Sequence, residues 1–225
     1  VGESTIAQIT DWMRLLKIED KDFIKHVDGS YKLSIKFTDF YKKGEAFHYP
    51  FGRPVLAQTR SKTNDWWFKK MLHPKTPYSD YADCIYPLQM AYVNQNKFDI
   101  NEAQRAYHFD ATKFGLWLKN NYCKKIKHIV DDVVSIEQDE DGITSLNNKY
   151  KADLYIDCTG FKSLLLDKTL KEPFESYSDM LPNDSAWATR IQYKDKEKEL
   201  VPYTNCTAIE NGWVWNIPLW SRIGT

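Results

Sequence analysis

Near the start of the chain, apolar residues recur at helical spacing at Ile6, Ile9, Met13 and Leu16. Thr5, with Gln8 three positions on, forms a capping-box pattern, so the spacing predicts an amphipathic helix opening at Thr5. From Tyr31 to Phe37 the pattern alternates instead. Tyr31, Leu33, Ile35 and Phe37 share one face and Lys32, Ser34 and Lys36 the other, which predicts one strand with a basic side. Asn64-Asp65 before Trp66, Trp67, Phe68, Met71 and Leu72 predicts a short capped helix, and Pro74, Pro77 and Pro87 mark connections.

Farther along, Asp110 is a suitable N-cap for a helix with Ala111, Phe114, Trp117, Leu118 and Tyr122 on its apolar side. The period then switches. Val133-Val134-Ser135-Ile136 and Ile143-Thr144-Ser145-Leu146 flank Asp141-Gly142 as an antiparallel pair. Ala152 to Ile156 reads as a buried strand running into Asp157 and Gly160. Ile191 to Tyr203 reads as a hairpin around the charge run Lys194 to Glu199, a solvated tip. Gly212 to Pro218 reads as a strand ended by proline, with Trp213 and Trp215 on one face.

The chain of 225 residues, 42% hydrophobic and 28% charged, has the composition of a soluble globular protein with a full core. Its 31 basic and 31 acidic residues cancel and form no basic block, which argues against nucleic acid and against an anionic membrane surface as partners. No apolar run approaches the roughly 18 residues of a membrane span. Cys84, Cys123, Cys158 and Cys206 lie far apart, so neither a zinc site nor a disulfide framework is expected, and a reduced, cytoplasmic setting is. No His or carboxylate stands at metal spacing from His73, and no metal is expected. The start has neither an initiator Met nor a signal-peptide pattern, as in a chain entered midway.

Several strings carry more than periodicity. Gly212-Trp213-Val214-Trp215-Asn216-Ile217-Pro218 resembles the G-W-x-W-x-I-P string of flavin-dependent halogenases of the tryptophan halogenase type. Val1-Gly2-Glu3-Ser4-Thr5-Ile6 resembles their V-G-E-[AS]-T-I strap over the flavin, and Tyr31-Lys32-Leu33-Ser34-Ile35-Lys36-Phe37 their [FY]-K-x-x-I-K-F string. Asp157 to Leu165 is similar to D-C-[ST]-G-F-[RK]-[SG]-L-L, and Tyr-His-Phe-Asp-Ala at 107–111 fits as well. Phe51-Gly52 aligns with x-H-x-F-G, but His48 falls one position early, with Tyr49 in its place.

The resemblance implies an α/β (α+β) fold, the FAD-binding fold of the hydroxybenzoate hydroxylase class, incomplete at both ends. Residues 1–225 would be the central part of one halogenase domain. A G-x-G-x-x-G loop for the FAD pyrophosphate does not occur among Gly2, Gly29, Gly44 and Gly52, and the family's catalytic glutamate would lie beyond Thr225, so an internal fragment, inactive alone, is expected. Implied cofactors are FAD, arriving as FADH2 from a separate flavin reductase, with dioxygen and halide; a homodimer is possible. Hypohalous acid formed at a flavin hydroperoxide would halogenate an indole-like or phenolic ring.

The resemblance also assigns residues. Lys32 would be catalytic. Val1, Gly2, Ser4, Thr5, Val133, Asp157 and Gly160 would contact FAD; His48, Tyr49 and Phe51 the substrate; Trp213 and Trp215 would wall off the flavin. The residues alone permit plainer readings: a lysine on a strand's polar face is ordinarily a solvated charge, Phe51 an ordinary packed ring, and His108 a core or capping histidine. Two other functions stay open, a flavin monooxygenase or reductase sharing the D-x-[ST]-G strand, and a non-catalytic chain.

Overall fold

The computed structural model describes residues 2–52, 54, 63–99 and 104–225. Its elements run β1 (Gly2–Ser4), α1 (Ile9–Leu15), α2 (Asp20–Phe23), β2 (Ser30–Lys32), β3 (Ser34–Thr38), β4 (Ala46–Pro50), α3 (Thr63–Leu72), α4 (Asp80–Ile85), α5 (Pro87–Asn94), β5 (Ala106–Asp110) and α6 (Ala111–Tyr122). They continue as β6 (Ile136–Asp139), β7 (Gly142–Leu146), β8 (Arg190–Ile191), α7 (Lys196–Glu199), β9 (Tyr203–Ile209), β10 (Gly212–Pro218) and β11 (Ile223–Gly224). Residues 125–185 form one compact unit and the remaining residues another.

The larger unit holds two sheets, a three-stranded one in the order β1-β5-β2 and a six-stranded one in the order β4-β3-β9-β10-β11-β8. β5 is central to the first, and all its residues are buried because both faces are covered. Tyr107 and Phe109 point to one face and join Met13, Ile18, Phe23 and Val27 in a core against which Phe114, Trp117 and Leu118 of α6 pack. Of the helix-spaced apolar residues near the start, Ile9, Met13 and Leu16 find their partners here, whereas Ile6 is exposed. Asp110 caps α6 as expected, its side chain accepting from the Lys113 amide.

Thr5 does not cap the first helix. Its hydroxyl donates to the Tyr107 carbonyl (2.9 Å) and accepts from the Tyr107 amide (2.9 Å), prolonging the β1–β5 ladder, and α1 starts at Ile9. The alternating run 31–37 is not one strand either. It breaks at Leu33, whose amide donates to the Pro202 carbonyl and whose carbonyl accepts from the Phe51 amide and Gln89 Nε2. β2 thus belongs to the three-stranded sheet and β3 to the six-stranded one, with Leu33 fully buried between them.

The charge run is no hairpin tip. Asp195 caps a turn of helix, α7, while β8 pairs with β11 and β9 with β3 and β10. In the smaller unit β6 and β7 form the expected hairpin, with Gly142, at φ 133°, opening β7 directly after the turn. Its first strand starts only at Ile136, because the Asn147 amide group, accepting from the Val134 and Ser135 amides and donating to the Asp132 carbonyl, holds 132–135 in place of a ladder.

The buried strand expected over Ala152 to Ile156 is absent. Leu154 and Ile156 are 74% and 77% exposed. No described strand runs beside this segment to take its backbone hydrogen bonds, and the Tyr155 hydroxyl, accepting from the Ala152 amide and donating to the Thr144 carbonyl, pins it to the hairpin. The four cysteines are unpaired thiols. Among the described residues no helix is long and apolar enough to cross a membrane.

Candidate active site

Lys32 ends β2 and is only 2% exposed. Strand alternation places it on the same face as Ser30, away from the aromatic core that Tyr31 and Tyr107 help to form. Its Nζ donates to Ser4 Oγ (2.7 Å) and to the Thr5 carbonyl (2.9 Å) and lies 5.3 Å from the centre of the Phe51 ring. Among the described residues no carboxylate bonds to it. Burial pushes its pKa down from 10.5 to about 8, against which the nearby Cys206 acts. An ammonium taken out of water without a counter-ion is costly, and such costs concentrate at functional sites.

A chain of polar side chains continues from Ser4. In the three-stranded sheet Ser4 and Ser30 both lie opposite His108, one on each side. Ser4 Oγ is 2.7 Å from Thr204 Oγ1, Thr204 Oγ1 is 2.9 Å from His108 Nε2, and His108 Nδ1 is 3.2 Å from Ser30 Oγ. Ser30 donates to the carbonyl of Pro218. His108 is wholly buried, and burial, seconded by the Lys32 charge, lowers its pKa to about 3, so it is neutral. The plain reading of a core histidine holds for its burial. Neither His108 nor Thr204 was singled out for chemistry by the sequence, and the one local signal was that His108 alternates with Tyr107 and Phe109, which puts it on the opposite face.

Trp213 and Trp215 stand in β10 opposite Ala208 and Cys206 of β9. By alternation they share a sheet face with Cys206 and Thr204. Both indoles keep solvent exposure, Trp213 at 45%. His48 is on the other face. It lies opposite Lys36, its Nδ1 is 2.9 Å from Ser34 Oγ, and its ring meets Tyr203 edge-on at 5.0 Å. Burial, then the Lys36 charge, lowers its pKa to about 4. Tyr49 is exposed, whereas Phe51 is buried beneath Lys32. The structure therefore brings together Lys32, Phe51, Ser4 and Thr5, and separates His48 from the tryptophans by the thickness of the sheet.

The remaining candidates lie elsewhere. Gly2 pairs with Asp110 in the β1–β5 ladder, and Val1 is outside the described residues. Val133, Asp157 and Gly160 belong to the smaller unit. Asp157 accepts from Thr159 N, Thr159 Oγ1, Leu165 N and Leu166 N, which holds its pKa at about 2 and leaves it a builder of the turn. Gly160 sits at φ 63° with open space where a side chain would stand. For a flavin, the half-exposed indoles of the larger unit offer a flat apolar surface; in the smaller unit, taken by itself, the Gly160 turn offers backbone without side-chain obstruction. Asp157 fits only as the carboxylate that shapes that turn.

Comparison with known proteins shows the family of the chain. A family model described as tryptophan halogenase matches residues 1–225. Tryptophan 6-halogenase SttH of Streptomyces toxytricini is 33% identical, aligned over 100% of this chain and 48% of its own length. Tryptophan 7-halogenase RebH of Lentzea aerocolonigenes is 31% identical, over 100% and 47%. Among solved structures, the apo structure of VirX1 superposes with a TM-score of 0.90 at 36% identity, covering 100% of this chain and 47% of that one. The chain spans about half the length of the curated relatives it matches.

Proposed function

Because the chain belongs to the tryptophan halogenase family, whose model matches all of it, we propose that the protein is a flavin-dependent halogenase acting on an indole-like or phenolic ring, with Lys32 as its catalytic lysine. The observation that carries this is the buried ammonium of Lys32, to which no carboxylate bonds among the described residues. A flavin-dependent halogenase of Xanthomonas campestris matches the whole chain with a TM-score of 0.87 at 26% identity, which supports the flavin. Reduced flavin with dioxygen, its electrons brought by a separate reductase, supplies the oxidation that turns halide into hypohalous acid.

The chain's own residues then act on that acid. Lys32, held by Ser4 and the Thr5 carbonyl, presents N–H to the oxygen of hypohalous acid. The aromatic carbon takes the halogen, the oxygen–halogen bond breaks, and hydroxide leaves as water with the ring proton. With a pKa of about 8, roughly a tenth of Lys32 is neutral near pH 7, so the amine form that could carry the halogen is also populated. Phe51 backs the lysine and, with Tyr49 and His48, is proposed to face the aromatic substrate. Trp213 and Trp215 would lie against the flavin and keep the substrate from it. Gly2, Ser4 and Thr5 in the larger unit, and Val133, Asp157 and Gly160 in the smaller one, are the residues proposed to contact the flavin.

The test is Lys32→Ala in the intact protein. Halogenated product in a liquid chromatography and mass spectrometry assay should disappear while flavin reoxidation continues, and Lys42→Ala, an exposed lysine paired with Glu45, should halogenate normally. Normal halogenation by Lys32→Ala would end the assignment. An oxygenated product formed without halide by the wild type would instead identify a monooxygenase.

A further inference from the structure

The hydrogen bonds behind Lys32 admit one direction only. The Pro218 carbonyl has no hydrogen to give, so the Ser30 hydroxyl must donate to it. Ser30 Oγ then has only lone pairs for His108, and Nδ1 must carry the imidazole hydrogen. In a neutral imidazole Nε2 is then bare and accepts from the Thr204 hydroxyl. The Thr204 oxygen, its hydrogen spent, accepts from Ser4, and the Ser4 oxygen, its hydrogen spent in turn, faces Lys32 as an acceptor. Every donor in the series has an acceptor.

We infer that His108 is a positioning residue for Lys32: the Pro218 carbonyl, at the end of the tryptophan-bearing strand, fixes the His108 tautomer, and Thr204 and Ser4 pass that choice on as an acceptor aimed at the lysine nitrogen. The opposite tautomer would set two lone pairs against each other at Nδ1 and Ser30 and, by turning Thr204 to donate to Ser4, take from the Ser4 hydroxyl hydrogen the acceptor it has here, a buried conflict. The arrangement holds Lys32 as a donor above Phe51. It is not a proton conduit, because a proton delivered to Nε2 would create a buried imidazolium beside the ammonium. The strand that carries Trp213 and Trp215 is thereby tied to the lysine through five hydrogen bonds and four intervening side chains.

The kinetic side of this inference rests on the halogenase reading; the tautomer does not. Imidazole-labelled 15N NMR of the intact protein should show His108 protonated at Nδ1, bare at Nε2 and unchanged between about pH 5 and pH 9, which spans ordinary histidine titration. An Nε2–H tautomer, or titration in that range, overturns the inference whatever the protein catalyses. Thr204→Val keeps the shape and cuts the chain. It should lower kcat for halogenation by about ten- to a hundredfold with KM for the aromatic substrate unchanged. It should also move the Lys32-dependent limb of the pH–rate profile to lower pH, since Ser4 is no longer oriented as an acceptor; among the described residues Cys206 and His108 are the other titratable groups that interact with Lys32. Thr204→Ser should restore both. If Thr204→Val matches the wild type in kcat and pH profile, the chain does not position Lys32.

Discussion

Replacing Lys32 by methionine should stabilise the fold while abolishing the proposed activity. Lys32 is 2% exposed, and the fall of its pKa from 10.5 to about 8 corresponds to about 3 kcal/mol against the charged form. Methionine fills nearly the same volume without the charge. It leaves Ser4 Oγ and the Thr5 carbonyl each short of one donor, at about 1 kcal/mol apiece. The balance at pH 7 is a gain of about 1 kcal/mol, in keeping with the stability given up at active sites.

The pH dependence separates this account from ordinary repacking. Because the folded pKa lies below the unfolded one, the unfolded chain binds the extra proton between about pH 8 and 10.5, so Lys32 makes wild-type stability rise with pH across that window. The penalty is complete below about pH 8. The advantage of Lys32→Met should therefore be greatest there and shrink steadily above it, reversing once only the lost hydrogen bonds remain. Urea unfolding of both proteins in parallel from roughly pH 6.5 to 9.5 measures the difference directly, cancelling every other lysine. A methionine variant less stable than the wild type at pH 7, or a difference that is flat with pH, would refute the reasoning.

Three further outcomes follow from other parts of the molecule. Arg222, 7% exposed, donates to both Asp28 (2.7 Å) and Asp110 (2.8 Å), so Arg222→Met should leave two buried carboxylates uncompensated and cost about 3–5 kcal/mol in urea unfolding. Trp215→Ala in the intact protein should leave the fold in place and add an oxygenated by-product to the halogenated one; unchanged product mass would remove the tryptophans from the proposed flavin wall. Gly160→Ala should cost about 1–2 kcal/mol from its φ of 63° alone, since nothing lies within 4 Å of the added carbon, with thermal unfolding as the measurement.

By itself the sequence determined whatever depends on near neighbours. The cap at Asp110 and the apolar stripe of α6 follow from side chains three and four positions apart, and the hairpin at Gly142 and the extended Gly212–Pro218 from turn chemistry and alternation. The motif strings led to the family that the whole-chain match then showed. The tertiary structure decided what depends on distant partners. Thr5 reads as a cap until Tyr107, far along the chain, offers its backbone, and residues 31–37 read as one strand until Pro202 and Phe51 claim Leu33 from two sides. Ala152 to Ile156 has the composition of a buried strand, but a strand exists only with a neighbour to bond, and none of the described strands lies beside it. Lys32 is the sharpest case. Alternation puts it on a polar face, and polar faces ordinarily meet water; here that face meets Thr204 of a second sheet and the ring of Phe51, so the charge is buried. Periodicity specifies which side chains share a face, but what covers that face is set by the packing of segments remote in sequence.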